Sequence, residues 1–149
     1  MALNIGVCGL GIMGGAFANN LARNGFHVIG YDPSKVRSNI FKKAGGVIAK
    51  SNKEVAENSD VIITSVATAK ILDEVIQGKN GIIKGAKKGL IILEASTVSF
   101  EEKKRNQIAL KKVSATMLDT PVSGAGRQAE AGEISIMISG PKHAFNKIK

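Results

Sequence analysis

Several things are scarce in this chain of 149 residues, and each scarcity removes a class of answer. One cysteine, Cys8, cannot form an intramolecular disulfide, and within an apolar run it reads as a small buried hydrophobe. Two histidines, His27 and His143, lack any partner pattern, so no metal-ligand set is expected and both read as surface residues. No apolar run approaches the ~20 residues of a membrane span. No basic segment precedes the first apolar stretch at Leu3, so a secretory leader is not expected and the cytoplasm is the default compartment. Acidic residues are also few, 12 against 21 lysines and arginines, for a net charge of +9. The excess is spread along the chain, without a basic tail or a stripe interleaved with aromatics. Nucleic acid is therefore not an expected partner, and the clusters Lys84–Lys88 and Lys103–Arg105 read as solvated faces.

With 44% hydrophobic and 22% charged residues the composition is that of an ordinary globular chain with room for one domain. Strand and helix signals alternate throughout. Apolar strands are expected at Leu3–Cys8, His27–Tyr31, Gly46–Ala49, Asp60–Val66, Gly89–Glu94, Ala115–Asp119 and Ile134–Ser139. Between them, Met13, Phe17 and Leu21 trace one helical face. Val36, Ile40 and Phe41 trace a second, Ser51 caps a short helix, Ile71–Ile76 mark another, and residues 99–112 form a charged amphipathic helix. Pro141 opens a last one. Repeated βα units with strands apolar on both faces imply an α/β, doubly wound (Rossmann), mostly parallel sheet. Ligands of such a sheet lie beyond the carboxyl ends of its strands.

The most informative segment is Gly9-Leu10-Gly11-Ile12-Met13-Gly14, set between the first strand and the first helix. In that context G-x-G-x-x-G signals dinucleotide binding. Gly9 permits the tight turn, Gly11 lets the backbone approach a pyrophosphate, and Gly14 lets the helix pack on the sheet. The helix N-terminus then offers free N–H groups and partial positive charge to the phosphates. Asp32, 18 residues after Gly14 at the end of the second strand, suits the ribose hydroxyls. It favours NAD, since a 2′-phosphate would meet a carboxylate. Lys35 and Arg37 lie close enough to admit NADP.

Three ordered stretches extend this reading: the glycine turn, Glu94-Ala95-Ser96-Thr97, and Asp119-Thr120-Pro121-Val122-Ser123-Gly124, continued by Ala129-Glu130-Ala131-Gly132. Over essentially its whole length the chain resembles the β-hydroxyacid dehydrogenases, nearest to their 3-hydroxyisobutyrate and tartronate-semialdehyde branch. The resemblance implies a cofactor domain followed by an all-α domain, hydride transfer between NAD and a small anionic 3-hydroxy acid, and a homo-oligomeric full-length form. It implies that Ser123 and Gly124 hold the substrate, that Ser96 and Thr97 lie near the nicotinamide, and that Val66 and Ala67 line the cofactor edge through backbone contacts. Capping of the helix near Ser99 is an alternative role for Ser96 and Thr97.

The chain also departs from that family. Ala125 stands where a second glycine is usual, and strain is expected there if the position needs positive φ. Val66-Ala67 replaces Leu-Pro, Phe100 a proline, and Glu94 an aspartate. The family's general-base lysine lies downstream in the all-α domain, beyond Lys149, and the remaining lysines are expected on polar helical faces. The domain is expected to stop before its last strand and to lack turnover alone. A non-catalytic dinucleotide-binding module is the alternative, and a related imine reductase fits less well because Asp32 disfavours NADP.

Overall fold

The computed structural model describes residues 2–149. Strands β1 (Ile5–Cys8), β2 (Val28–Tyr31), β3 (Val47–Ile48), β4 (Val61–Thr64), β5 (Ile91–Glu94) and β6 (Thr116–Asp119) form one sheet in the order β3-β2-β1-β4-β5-β6. Every pairing in it is parallel, as the apolar strands predict. The order reverses between β1 and β4, so the C-terminal ends of these two strands open a crevice at the switch point.

Alternation along the strands sends successive side chains to two cores. Cys8, Ile62, Ile92 and Met117 pack toward α3 (Asn52–Glu57), α4 (Ala69–Gln77) and α5 (Phe100–Lys111). Val7 and Val28 pack toward α1 (Ile12–Arg23) and α2 (Lys35–Lys43), while Val61, Ile91 and Leu118 meet α7 (Lys142–Ile148). Ser51 caps α3 by accepting the Glu54 amide, as expected. Among the described residues no helix is long and apolar enough to cross a membrane.

Two helical faces differ from expectation. In α1, Gly14, Ala16 and Ala18 are buried; Met13, Phe17 and Leu21 are half-buried, and of these three Leu21 packs against the Val7–Val28 core as expected. Small side chains at 14 and 18 let this helix lie close to the sheet. In α2, Phe41 is buried but Val36 and Ile40 are 70% and 54% exposed. Phe41 takes the available space by slotting between Gly30 and Gly46, where a Cβ would come within 2.8 Å and 2.1 Å of its ring.

The expected strand Ile134–Ser139 does not join the parallel sheet as a seventh member. After β7 (Val122–Ser123) and α6 (Gly126–Ala131), Gly132 adopts φ +75° and turns the chain back. Ser135–Ile136 (β8) then pairs antiparallel with β7, and Ser139 forms an antiparallel bridge with Asp119. A two-stranded ribbon thus caps the carboxyl end of β6.

Candidate functional site

Gly9, with φ +96°, turns out of β1 directly against β4: a Cβ there would lie 2.2 Å from the Ser65 carbonyl oxygen. A Cβ on Gly14 would lie 1.9 Å from the Gly9 carbonyl oxygen. Both glycines are thus required by the protein's own packing. Gly11 is different. Its φ is −69°, and a Cβ would meet nothing closer than the Arg37 guanidinium at 3.7 Å. The bare position faces a groove of about 400 Å³ bordered by Met13, Asp32, Pro33, Val66 and Ala67. A backbone left bare without internal need, beside a helix whose first N–H groups have no intrahelical acceptor, fits a dinucleotide pyrophosphate. Ile12, 76% exposed, also borders this groove. The Leu10 side chain instead enters the core, and its amide is already committed.

That commitment is to Asp32. One carboxylate oxygen accepts the Leu10 N–H at 2.9 Å, and the other accepts the Ser34 N–H at 2.8 Å. Arg37 Nη1 lies 3.6 Å from the same carboxylate, which is only 5% exposed while Arg37 is 54% exposed. The acid is held rigid at the tip of β2, and each oxygen keeps a second lone pair for a ligand hydroxyl.

A second cavity of about 530 Å³ adjoins the groove, with Met13 bordering both. Ser96, Thr97, Val122 and Gly124 line it, as does Lys103 from α5. Ser123 is exposed and does not line it: on the short β7 strand alternate side chains point to opposite faces, and Val122 takes the inward one. Gly124 carries φ +136°, whereas Ala125 is extended at φ −106°. The strain expected at Ala125 is therefore absent, because the glycine before it makes the left-handed bend.

Ser96 does not cap α5. Ser99 does, in a reciprocal capping box with Glu102. Ser96 instead accepts the Val66 N–H through Oγ at 2.9 Å, tying the loop after β5 to the loop after β4. Its own N–H donates to Glu94 Oε1 at 2.8 Å. Glu94 is fully buried, and Lys103 Nζ lies 3.0 Å from its Oε2 and donates to Asp119 Oδ1 at 2.6 Å. Burial works against the Lys103 charge. Hydrogen bonds and attraction from Asp119 and Glu94 outweigh it and hold its pKa above the ordinary lysine value.

Lys103 therefore corrects the expectation that Lys103–Arg105 is a solvated face. Its neighbours are exposed, Arg105 pairing with Asp73 at 2.7 Å, but the Lys103 side chain is 12% exposed. The sequence held a signal for it, since a carboxylate at the end of a strand covered on both faces needs a cation. Lys84, Lys87 and Lys88 are exposed as expected, as are His27 and His143. No cluster of potential metal ligands occurs among the described residues.

Residues 4–149 match the family model described as the NAD binding domain of 6-phosphogluconate dehydrogenase. The chain is 39% identical over 145 residues to a probable mitochondrial 3-hydroxyisobutyrate dehydrogenase of Dictyostelium discoideum, covering 97% of this chain and 45% of that protein. It is 37% identical over 141 residues to the mitochondrial 3-hydroxyisobutyrate dehydrogenase of Mus musculus, covering 95% and 42%. The crystal structure of 3-hydroxyisobutyrate dehydrogenase from Salmonella typhimurium superposes with a TM-score of 0.87 at 30% identity, covering 97% of this chain and 50% of that one. The chain thus spans about half the length, or less, of the relatives it matches. A glycine turn at the switch point, an acid fixed at the tip of β2 and a match along nearly the whole chain agree: this is an NAD-binding Rossmann domain of the β-hydroxyacid dehydrogenase family.

Proposed function

We propose that this domain forms the cofactor half of an oxidoreductase that interconverts a small 3-hydroxy acid and its semialdehyde or keto acid. The observation that carries the reading is the bare Gly11 backbone over a groove that runs past Met13 into the Ser96–Thr97 cavity. Amides at the start of α1, from Ile12 to Gly14, hold the pyrophosphate, and Gly9 and Leu10 shape the turn beneath it. Asp32 accepts the adenosine ribose hydroxyls and sets a preference for NAD over NADP. Val66 and Ala67 line the far edge, and Ser96 and Thr97 border the nicotinamide. Bound NAD supplies the hydride acceptor.

The substrate carboxylate is held at Ser123-Gly124, where Gly124, bent at φ +136° and without a side chain, opens the backbone to an anion. Because Ser123 is exposed, its hydroxyl serves only a ligand that enters from the open side of the ribbon. Proton transfer needs a base poised near the working pH. Lys103 does not meet that need, because two carboxylates hold its proton. Lys104, the other lysine bordering the cavity, is exposed. As the resemblance implies, we assign the proton to the family's general-base lysine, which lies outside this domain.

Titration calorimetry with NAD, together with NADH formation from 3-hydroxyisobutyrate at 340 nm, tests both halves of the proposal. Saturable NAD binding without turnover is expected of these 149 residues. Failure to bind NAD would overturn the whole reading, and turnover would overturn the assignment of the base.

A further inference from the structure

We propose that Lys103 is a positioning residue: by tying Glu94 to Asp119 it fixes the loops after β4 and β5 that border the nicotinamide end of the groove. The inference rests on the placement of the ring at Ser96 and Thr97 given above. Its basis is a continuous chain of contacts. Lys103 bridges Asp119 at the tip of β6 and Glu94 at the tip of β5, at 2.6 Å and 3.0 Å. Glu94 Oε1 receives the Ser96 amide at 2.8 Å and faces the Thr64 hydroxyl at 3.4 Å. Ser96 Oγ in turn receives the Val66 amide at 2.9 Å. One ammonium thereby joins the carboxyl ends of three neighbouring strands, β4, β5 and β6.

The arrangement is more than a surface ion pair. Glu94 is completely buried, and a lone carboxylate there would be unstable without a cation. The Glu94 side chain meets the Ser96 amide with one oxygen and Lys103 with the other. With Lys103 gone, Glu94 can no longer hold one orientation, and the Ser96 amide and Val66 amide lose their fixed acceptors in sequence. The adenosine end stands apart from this chain. Asp32 is held by Leu10 and Ser34 on the other side of the switch point.

That separation supplies the test. NAD and ADP-ribose share every contact except those of the nicotinamide ring and its positive charge, so calorimetry with both ligands isolates the nicotinamide end. The wild-type domain is expected to bind NAD more tightly than ADP-ribose. In Lys103→Met, NAD affinity is expected to fall about tenfold, with ADP-ribose affinity held within about twofold and Lys103→Arg retaining most of the wild-type difference. Both ligands report on the same folded fraction, so the ratio does not depend on how much of the variant is folded. Should Lys103→Met fail to fold at all, Lys103→Met with Glu94→Gln removes the buried charge, and the same selective loss is expected. Equal weakening of both ligands, or no change in either, would overturn the positioning role while leaving the cofactor site intact. Wild-type protein that binds the two ligands equally would overturn the placement of the ring itself, and this inference with it.

Discussion

Alanine at Gly11 and alanine at Gly14 should have opposite effects, though both residues belong to the same motif. At Gly14 the new methyl would sit 1.9 Å from the Gly9 carbonyl oxygen, whereas a carbon and an oxygen settle at ~3.3 Å. Helix α1 must therefore lift by more than ~1 Å off the turn, an overpacking that costs about 1–3 kcal/mol. For a chain of this size each kcal/mol lowers Tm by about 2–4 °C, so a drop of about 2–12 °C is expected. At Gly11 the φ of −69° suits alanine, and the nearest atom is the mobile end of Arg37 at 3.7 Å. Poorer N-capping by alanine, which costs under about 1 kcal/mol, is offset by the ~0.4–1 kcal/mol gained from a stiffer unfolded chain. Stability should therefore move by less than ~0.5 kcal/mol. The methyl nevertheless stands on the floor of the groove, and NAD affinity should fall at least about tenfold, or ~1.4 kcal/mol. Scanning calorimetry and NAD titration on both variants decide the matter. A Gly11→Ala protein that binds NAD like the wild type would refute the argument, because the groove floor would then not be where the pyrophosphate lies.

Three single sites carry further expected outcomes. Asp32→Asn leaves either the Leu10 or the Ser34 amide facing a donor, which should cost about 1–3 kcal/mol in chemical denaturation. The same variant should narrow the ratio of NADP to NAD dissociation constants, since Arg37 stays while the carboxylate goes; wild-type protein preferring NADP would contradict the role given to Asp32. Burial pushes the Asp73 carboxyl up, but hydrogen bonds from Arg105 and Asn106 and the arginine's charge outweigh it and hold the pKa below the ordinary 3.8. Its contribution to stability is thus complete above that value and lost as pH falls through the lower folded pKa, so Asp73→Asn should flatten the acid limb of a stability–pH curve. The Cys8 thiol is fully buried with its pKa pushed up, so labelling by a thiol reagent should proceed only at the rate of unfolding; stoichiometric labelling of native protein would count against the packing of β1.

Five of the six parallel strands were legible because strands covered by helices read as short continuous apolar runs. The edge strand β3 is exposed and was marked by its β-branched pair alone. Each run lies within about two residues of its strand. The observed strands are shorter, since pairing stops where the chain leaves for its helix. Asp32 was equally legible, being fixed by its distance from the glycine turn. The ribbon was not. Nothing in Ile134–Ser139 distinguishes a parallel strand from an antiparallel one, and the direction was decided by Gly132 in the left-handed region. Helix α2 misled for a related reason. Its periodicity shows which residues share a face, but only Phe41 has two glycines opposite to make room for it.

The site shows the same division between pattern and context. Ser96, Thr97 and Gly124 come together at one cavity because each lies at the carboxyl end of a strand or just past it, a position the alternation of elements predicts. Ser123 was placed by its motif, but the side of a short strand on which a hydroxyl emerges depends on the ribbon it pairs with. Lys103 was hidden among three consecutive basic residues, of which two are solvated. What separates it from Lys104 and Arg105 is its position on α5, directly over a carboxylate that has no water to solvate it. A run of basic residues on a helix therefore cannot be read as solvated until the acids at the neighbouring strand ends have been counted. Glu94 ends a strand buried on both faces, and that burial requires a cation from the helix that follows.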